Sequence, residues 1–281
     1  MKKNALCLTG FAFILSLAVQ AHAQFLPEEL AEWPKWEEFL GSAAFTASQQ
    51  LTGPGAVTNP WELTLEKDGI KRQALWKNVK GPLRGFVEGW NFEIAAYRID
   101  RLLGLNMVPP TIERRFREDR GSLMLWIETM MSYGKYSEEL AKGKIKMPSY
   151  KIFPFNRAIY LHRAFDNLIA NEDRHANNNL LTKDWRVILI DHSRSFRTSK
   201  KFTESLIYTE KHREGPKLMK ELPRAFFSKL QGLTFESVRS AVGDYLSDEE
   251  IRALLKRRDL ILKEIDRLIK LNGEENTLYE K

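Results

Sequence analysis

The chain has a single cysteine, Cys7, and it lies in the apolar stretch near the N-terminus. No disulfide can form within the rest of the chain, so the fold must rest on an ordinary core, for which 43% apolar residues are adequate. Long apolar runs are also missing: beyond residue 23 none approaches the roughly 20 residues that a spanning helix needs. Repeats and low-complexity linkers are absent. The basic residues are accompanied neither by zinc-finger spacing nor by the aromatic interleaving of RNA-reading proteins. These absences exclude a disulfide scaffold, a multi-pass membrane protein and a solenoid, and they take nucleic acid off the expected partners.

What is present begins with a leader. Lys2 and Lys3 precede an apolar stretch over 5–19, and Ala21-His22-Ala23 places small residues where a signal peptidase reads. The expectation is a signal peptide over 1–23, cleaved after Ala23, that exports the chain to a periplasm, the exterior or a secretory lumen. The alternative is an uncleaved helix that anchors it to a membrane. Cys7 is too far from the cleavage site to carry a lipid. Loss of Lys2 and Lys3 takes two charges from the formal +7. The remaining mild excess suits an anionic ligand or a solvated basic surface equally.

Five regions are expected after that reading: the leader, an N-terminal helical extension over 24–50, a strand-rich lobe over 51–128, a helical lobe over 129–275 and a tail over 276–281. Residues 27–46 read as helical and aromatic, with Trp33, Trp36, Phe39 and Phe45. Two strand-like runs, 61–66 and 72–77, flank the hairpin turn signal Asp68-Gly69. A helix over 91–103 follows from Phe92, Ala95, Ala96, Ile99, Leu102 and Leu103 at helical spacing, with Gly104 as its stop. Strand candidates 111–116 and 122–128 complete the first half. The second half reads mainly as helices, over 155–170 and behind the capping box Ser247–Glu250. Between them lies a short strand pair, 179–182 and 186–190, around a Lys183-Asp184 turn. The fold class is α+β with two lobes.

The segment Asn171-Glu172-Asp173-Arg174-His175-Ala176-Asn177-Asn178 follows a helix and leads into the first of those strands, and the second strand ends at Asp191. The hairpin therefore gathers Asp173, Asn178 and Asp191 at one edge. Phosphoryl transfer needs such a set: a carboxylate near the attacking hydroxyl, and oxygen ligands for divalent cations on the nucleotide phosphates. Asp173 would orient or deprotonate the acceptor, and Asn178 and Asp191 would hold Mg²⁺ or Mn²⁺. Polar caps around a hairpin are the structural alternative.

Asp173-Arg174-His175 followed by Asn178 resembles the catalytic loop of phosphatidylinositol 3- and 4-kinases and their atypical-kinase relatives. With Ile190-Asp191 ahead of Phe196, it is similar to HipA-like kinases and to the secretory-pathway kinases of the Golgi. The resemblance implies a two-lobed protein-kinase-like fold, with a strand-rich N-lobe and a helical C-lobe. It implies ATP or another nucleoside triphosphate as donor, with Lys77 on the phosphates, Glu93 paired to Lys77, and Glu128 at the end of the strand that enters the hinge beside adenine. His175 stands where lipid kinases place a residue near the transferred phosphate, and Arg174 beside it either serves that site or bonds loop carbonyls and a carboxylate.

Two departures stand out. Asp191-His192-Ser193 replaces the common Asp-x-Gly. The glycine-rich loop is poorly matched: 53–58 offers backbone N–H groups and the Thr58 hydroxyl, but Pro54 removes a donor. His192 beside Asp191 also permits a hydrolase metal cluster with Asp173 and His175. Basic residues Arg197, Lys200, Lys201, Lys211, Arg213, Lys217 and Lys220 follow Asp191, either as a solvated loop or as a reader of an anionic or acidic acceptor. The expected function is an exported atypical kinase that phosphorylates a hydroxyl of a protein, lipid headgroup or small molecule. The alternative is a pseudokinase that binds nucleotide, metal or a protein without transfer.

Overall fold

The computed structural model describes residues 24–53, 58–83, 86–212, 215, 217 and 219–280. The expected leader, Pro54, most of the 53–58 loop and Arg213 lie outside the described residues. Two short helices come first, α1 (Pro27–Ala31) and α2 (Trp33–Ser42). The expected helix does not continue to residue 46. Ala43 turns extended and β1 (Ala44–Gln50) begins, paired antiparallel with β2 (Trp61–Lys67). Arg114 caps this end by donating to the carbonyls of Leu40 and Ala43.

β2 turns back into β3 (Ile70–Lys77) at Asp68 and Gly69, both at positive φ, as a two-residue type I′ turn requires. A second hairpin, β4 (Lys80–Leu83) and β5 (Phe86–Gly89), leads into α3 (Trp90–Leu103). Then β6 (Thr111–Phe116) and β7 (Asp119–Leu125) complete an antiparallel sheet of order β1-β2-β3-β7-β6. Gly121 is needed here, because a Cβ would lie 2.3 Å from the Lys77 carbonyl and 2.6 Å from the Trp76 ring.

Alternation along β3 does the positioning. Ala74 and Trp76 enter a core with Phe39, Leu40, Leu63, Leu65 and Leu123, where each buried aliphatic side chain contributes about 1.5–3 kcal/mol. Leu75 and Lys77 share the opposite face, which lines a cleft. α3 is buried nearly all round, wedged between the sheet and the helical half.

The chain then forms β8 (Met131–Ser132), α4 (Tyr133–Ala141), α5 (Ser149–Ile169), β9 (Asn179–Leu181) and β10 (Val187–Leu189). β8, β9 and β10 make a small antiparallel sheet. α6 (Lys200–Thr203), β11 (Leu222–Pro223), α7 (Arg224–Gln231), α8 (Phe235–Val242), α9 (Asp248–Asn272) and β12 (Leu278–Tyr279) complete the described chain. Ser247 and Glu250 make the expected capping box on α9. The tail is tied down, since Leu278 and Tyr279 pair parallel with β11. No helix among the described residues is long and apolar enough to cross a membrane.

Candidate active site

β3, α3 and the segment after β10 meet at Lys77. The ammonium is buried and donates to Glu93 Oε1 at 2.7 Å and to Asp191 Oδ1 at 2.9 Å. Burial works against the charge of Lys77, but Asp191 and Glu93 outweigh it and hold the ammonium well above the usual lysine range. Burial likewise opposes the charge of Glu93, and Lys77 and His192 hold its carboxyl well below the usual carboxylate range. The same balance, with Lys77 decisive, lowers Asp191. The second oxygen of Glu93 accepts the backbone N–H of His192 at 2.9 Å. One side chain of α3 thus fixes both the lysine and the backbone beside Asp191. Asp191 itself sits at φ 61, a left-handed conformation that an ordinary side chain adopts at a cost of about 1–3 kcal/mol.

The catalytic-loop candidate is built on a buried ion pair. Arg174 reaches Asp166 of α5 through two nitrogens, at 2.9 and 3.1 Å, and donates to the carbonyls of Asn178 and Ile190. Its side chain is 1% exposed and does not line the cleft. The catalytic expectation for Arg174 therefore gives way to the other reading: it clamps the two ends of the β9–β10 unit to α5. Asn178 donates its amide to the Asp173 carbonyl at 3.1 Å, which leaves Oδ1 without a hydrogen bond among the described residues. Asp173, His175, Asn178 and Asp191 all line one cleft of about 930 Å³, together with Thr58 and Lys77. Leu75, Pro60, Met124, Leu180 and Ile190 supply its apolar walls.

Glu128 is not brought to this cleft. β7 ends at Leu125, three residues short of the expected strand, and the exposed Glu128 lines a different groove with Glu28, Glu32 and Trp36. Trp126, Ile127 and Thr129 take the cleft side of that segment. His192 is wholly buried, with its ring against Phe165 and Nδ1 3.5 Å from Glu93. Burial pushes its imidazole pKa down. That removes His192 from any hydrolase metal cluster with Asp173 and His175.

Two site residues were not singled out in the sequence, Glu88 and Arg194. Glu88, on β5, is 1% exposed. Its carboxylate takes Ser193 Oγ at 2.5 Å and Arg194 Nε at 2.5 Å. Ser193 Oγ also lies 3.1 Å from Asp191 Oδ1, so one hydroxyl bridges the carboxylates of Glu88 and Asp191. Arg194 continues to Asp173 Oδ2 at 3.3 Å, and its guanidinium lies over the Phe86 ring. The only signal in the sequence is a carboxylate one hairpin strand ahead of α3 and a cation that opens the basic run three residues before Arg197.

A hard divalent cation fits these donors. Asp191 and Asn178 offer only oxygen, and among the described residues no cluster of three or more His, Cys, Asp or Glu has the makings of a self-sufficient cage. Mg²⁺ is commonly held in this way, by one or two carboxylates together with substrate phosphates.

The strand-rich and helical halves that meet at this cleft make a two-lobed fold of the protein-kinase-like kind. No protein-family model matches the chain, and no curated protein matches it by sequence. Solved structures do. The hydra Fam20 structure with sugar aligns with a TM-score of 0.61 at 16% identity, covering 89% of this chain and 93% of that one. A Golgi casein kinase aligns with a TM-score of 0.61 at 14% identity, covering 89% and 80%. The Helicobacter pylori proinflammatory kinase CtkA aligns at 0.48 and 12% identity.

Proposed function

We propose that the protein is a metal-dependent phosphotransferase that moves the γ-phosphoryl group of a nucleoside triphosphate to a hydroxyl. The observation that carries this reading is Lys77, held between Glu93 and Asp191 on the wall of the cleft that also contains Asp173 and Asn178. Lys77 would hold nucleotide phosphates in a fixed place. Asp173 would take the acceptor's proton as its oxygen attacks phosphorus and the nucleoside diphosphate leaves. Asn178 and Asp191 would hold Mg²⁺ or Mn²⁺, which neutralises phosphate charge when bound. His175, exposed at the cleft, would meet the transferred group. Thr58 would contribute a hydroxyl near the phosphates.

The acceptor belongs to a protein, lipid headgroup or small molecule, and the basic run after Asp191 favours an anionic one. The leader expectation fits work outside the cytoplasm, where the donor must be supplied. A second reading, nucleotide binding without transfer, draws on Arg194, which engages an oxygen of Asp173.

The test is hydrolysis and transfer from γ-labelled ATP with Mg²⁺ or Mn²⁺, run on the wild type, Asp173→Asn and Asp191→Asn. Loss of transfer in both variants, with nucleotide binding kept in Asp173→Asn, supports the first reading. Metal-dependent binding without transfer in the wild type supports the second. Turnover unchanged in both variants sinks the assignment.

A further inference from the structure

The exposed apolar side chains of this protein are not scattered. Eight large hydrophobic residues are exposed among the described residues, and four of them, Leu140, Tyr150, Ile152 and Phe153, fall in the turn from α4 into α5. Tyr150 is 71% and Phe153 55% exposed, on the first turn of α5. That turn stands clear of the body, since burial along α5 begins only at Phe155. Pro154 lacks the N–H that would bond the Tyr150 carbonyl, so the first turn is also less tied to the rest of the helix.

The same stretch, 140–153, contains Lys142, Lys144, Lys146 and Lys151 and no acidic residue. Lys142 and Lys144 share the single carboxylate of Glu139 with Lys135, at 3.2 to 3.5 Å, so most of the positive charge is left over. Lys146 is exposed.

We propose that this turn docks the protein onto an anionic phospholipid surface. Lysines near such a surface each raise partitioning about fivefold, and aromatic rings on a projecting turn enter the boundary between headgroups and acyl chains. Charge chooses the occupant: lysines with little carboxylate to pair with stand beside projecting aromatic rings, which matches an anionic headgroup layer over an apolar one. The consequence for the cleft is geometric. Ser132, the N-cap of α4, contacts Asn177 of the catalytic loop at 2.8 Å, and the other end of α4 feeds the lysine turn. Docking would place the surface at the end of α4 away from the catalytic loop. The inference stands whether or not the protein transfers phosphate.

The test uses the full chain with Cys7→Ser and one new cysteine carrying an environment-sensitive fluorophore. The cysteine is placed at exposed Ser149 on the turn, or at exposed Glu66 on β2 as control. Vesicles contain phosphatidylcholine alone or with 30% phosphatidylglycerol, a mixture of about the charge that attracts basic segments. The expected result is a blue shift at residue 149 only, on anionic vesicles only, that weakens with salt. Lys142→Gln/Lys144→Gln/Lys146→Gln should lower partitioning on the order of a hundredfold. Tyr150→Ser/Phe153→Ser should lower it at least tenfold, with a small fall in melting temperature at most, because both side chains are largely exposed and Phe153 has the Arg157 guanidinium over its ring. An equal response at residue 66, an equal response on neutral vesicles, or none at all overturns the proposal. Lysine-dependent binding that ignores the aromatic substitutions, and that heparin or an acidic protein reproduces, overturns it in favour of a polyanion site.

Discussion

The guanidinium of Arg194 lies 3.3 Å from the carboxylate of Asp173 and ties the candidate acceptor base to Glu88 on the other side of the cleft. Burial raises the Asp173 carboxyl, Arg194 pulls it down and Asp191 pushes it up, and the balance leaves it above the usual range. Arg194→Gln should therefore raise it further. The acid limb of the pH profile of kcat/KM should move to higher pH, because the base must be ionised to act. A lower rate with an unmoved acid limb would show that Arg194 acts on the transferred phosphoryl and not on Asp173.

Lys77 offers a stability test with a definite sign. Both partners of the Lys77–Glu93 pair are under a tenth exposed, and Asp191 adds a second carboxylate. Lys77→Met strands two carboxylates against each other and should cost about 3–5 kcal/mol near neutral pH. Because the folded carboxyl of Glu93 is lowered, the pair's contribution is present above the unfolded carboxylate range and is lost as pH falls through the folded value. In the variant, burial and the neighbouring Asp191 act on Glu93 without the ammonium, and only the His192 contacts still hold it down. The gap between wild type and variant, read by denaturant melts, should therefore be widest at pH 7 and narrow towards pH 4. A gap independent of pH would mean that packing and not charge is being measured.

The parts of this site that were legible in the sequence are those set by short range. Asp173, Asn178 and Asp191 follow from one loop and one hairpin, whereas Lys77 and Glu93 stand out only through the resemblance of their strand and helix to those of kinases. Glu88 and Arg194 were not legible because their pairing joins β5 to the segment after β10, and nothing local marks either residue. β1 was misread as helix for a related reason: the cap on the end of α2 is Arg114, on β6. Glu128 failed on length, since three further residues of strand would have been needed to carry it to the hinge end.

Arg257 of α9 is among the largest side chains that are fully buried, and among the described residues no carboxylate pairs with it. Nε donates to the Leu168 carbonyl at 2.7 Å and Nη1 to the Arg197 carbonyl at 2.6 Å. A cation at the end of α5 meets the negative end of that helix, but burial still pushes its pKa down to about 9. Arg257→Ala should remove both bonds and leave a cavity, for a loss of about 2–4 kcal/mol in chemical denaturation. Arg257→Lys should recover only part of it, because one ammonium cannot span two carbonyls in fork geometry. Full recovery by lysine would assign the role to charge alone.

Ser193 stands where many kinases carry glycine, and its hydroxyl gives a reason. The side chain is 2% exposed and bridges Glu88 Oε2 and Asp191 Oδ1. Ser193→Ala should leave a buried carboxylate oxygen of Glu88 without its partner, at a cost of about 1–3 kcal/mol. It should also free the Asp191 carboxylate to turn, which weakens metal-dependent nucleotide binding by several-fold. Ser193→Gly loses the same bonds and adds backbone freedom next to Asp191, for a further 0.4–1 kcal/mol or so. Melting curves and Mn²⁺ titrations of a fluorescent nucleotide separate the two contributions. If Ser193→Gly binds metal–nucleotide as tightly as the wild type while Ser193→Ala does not, backbone mobility substitutes for the hydroxyl, and this turn moves as the glycine-bearing turns do.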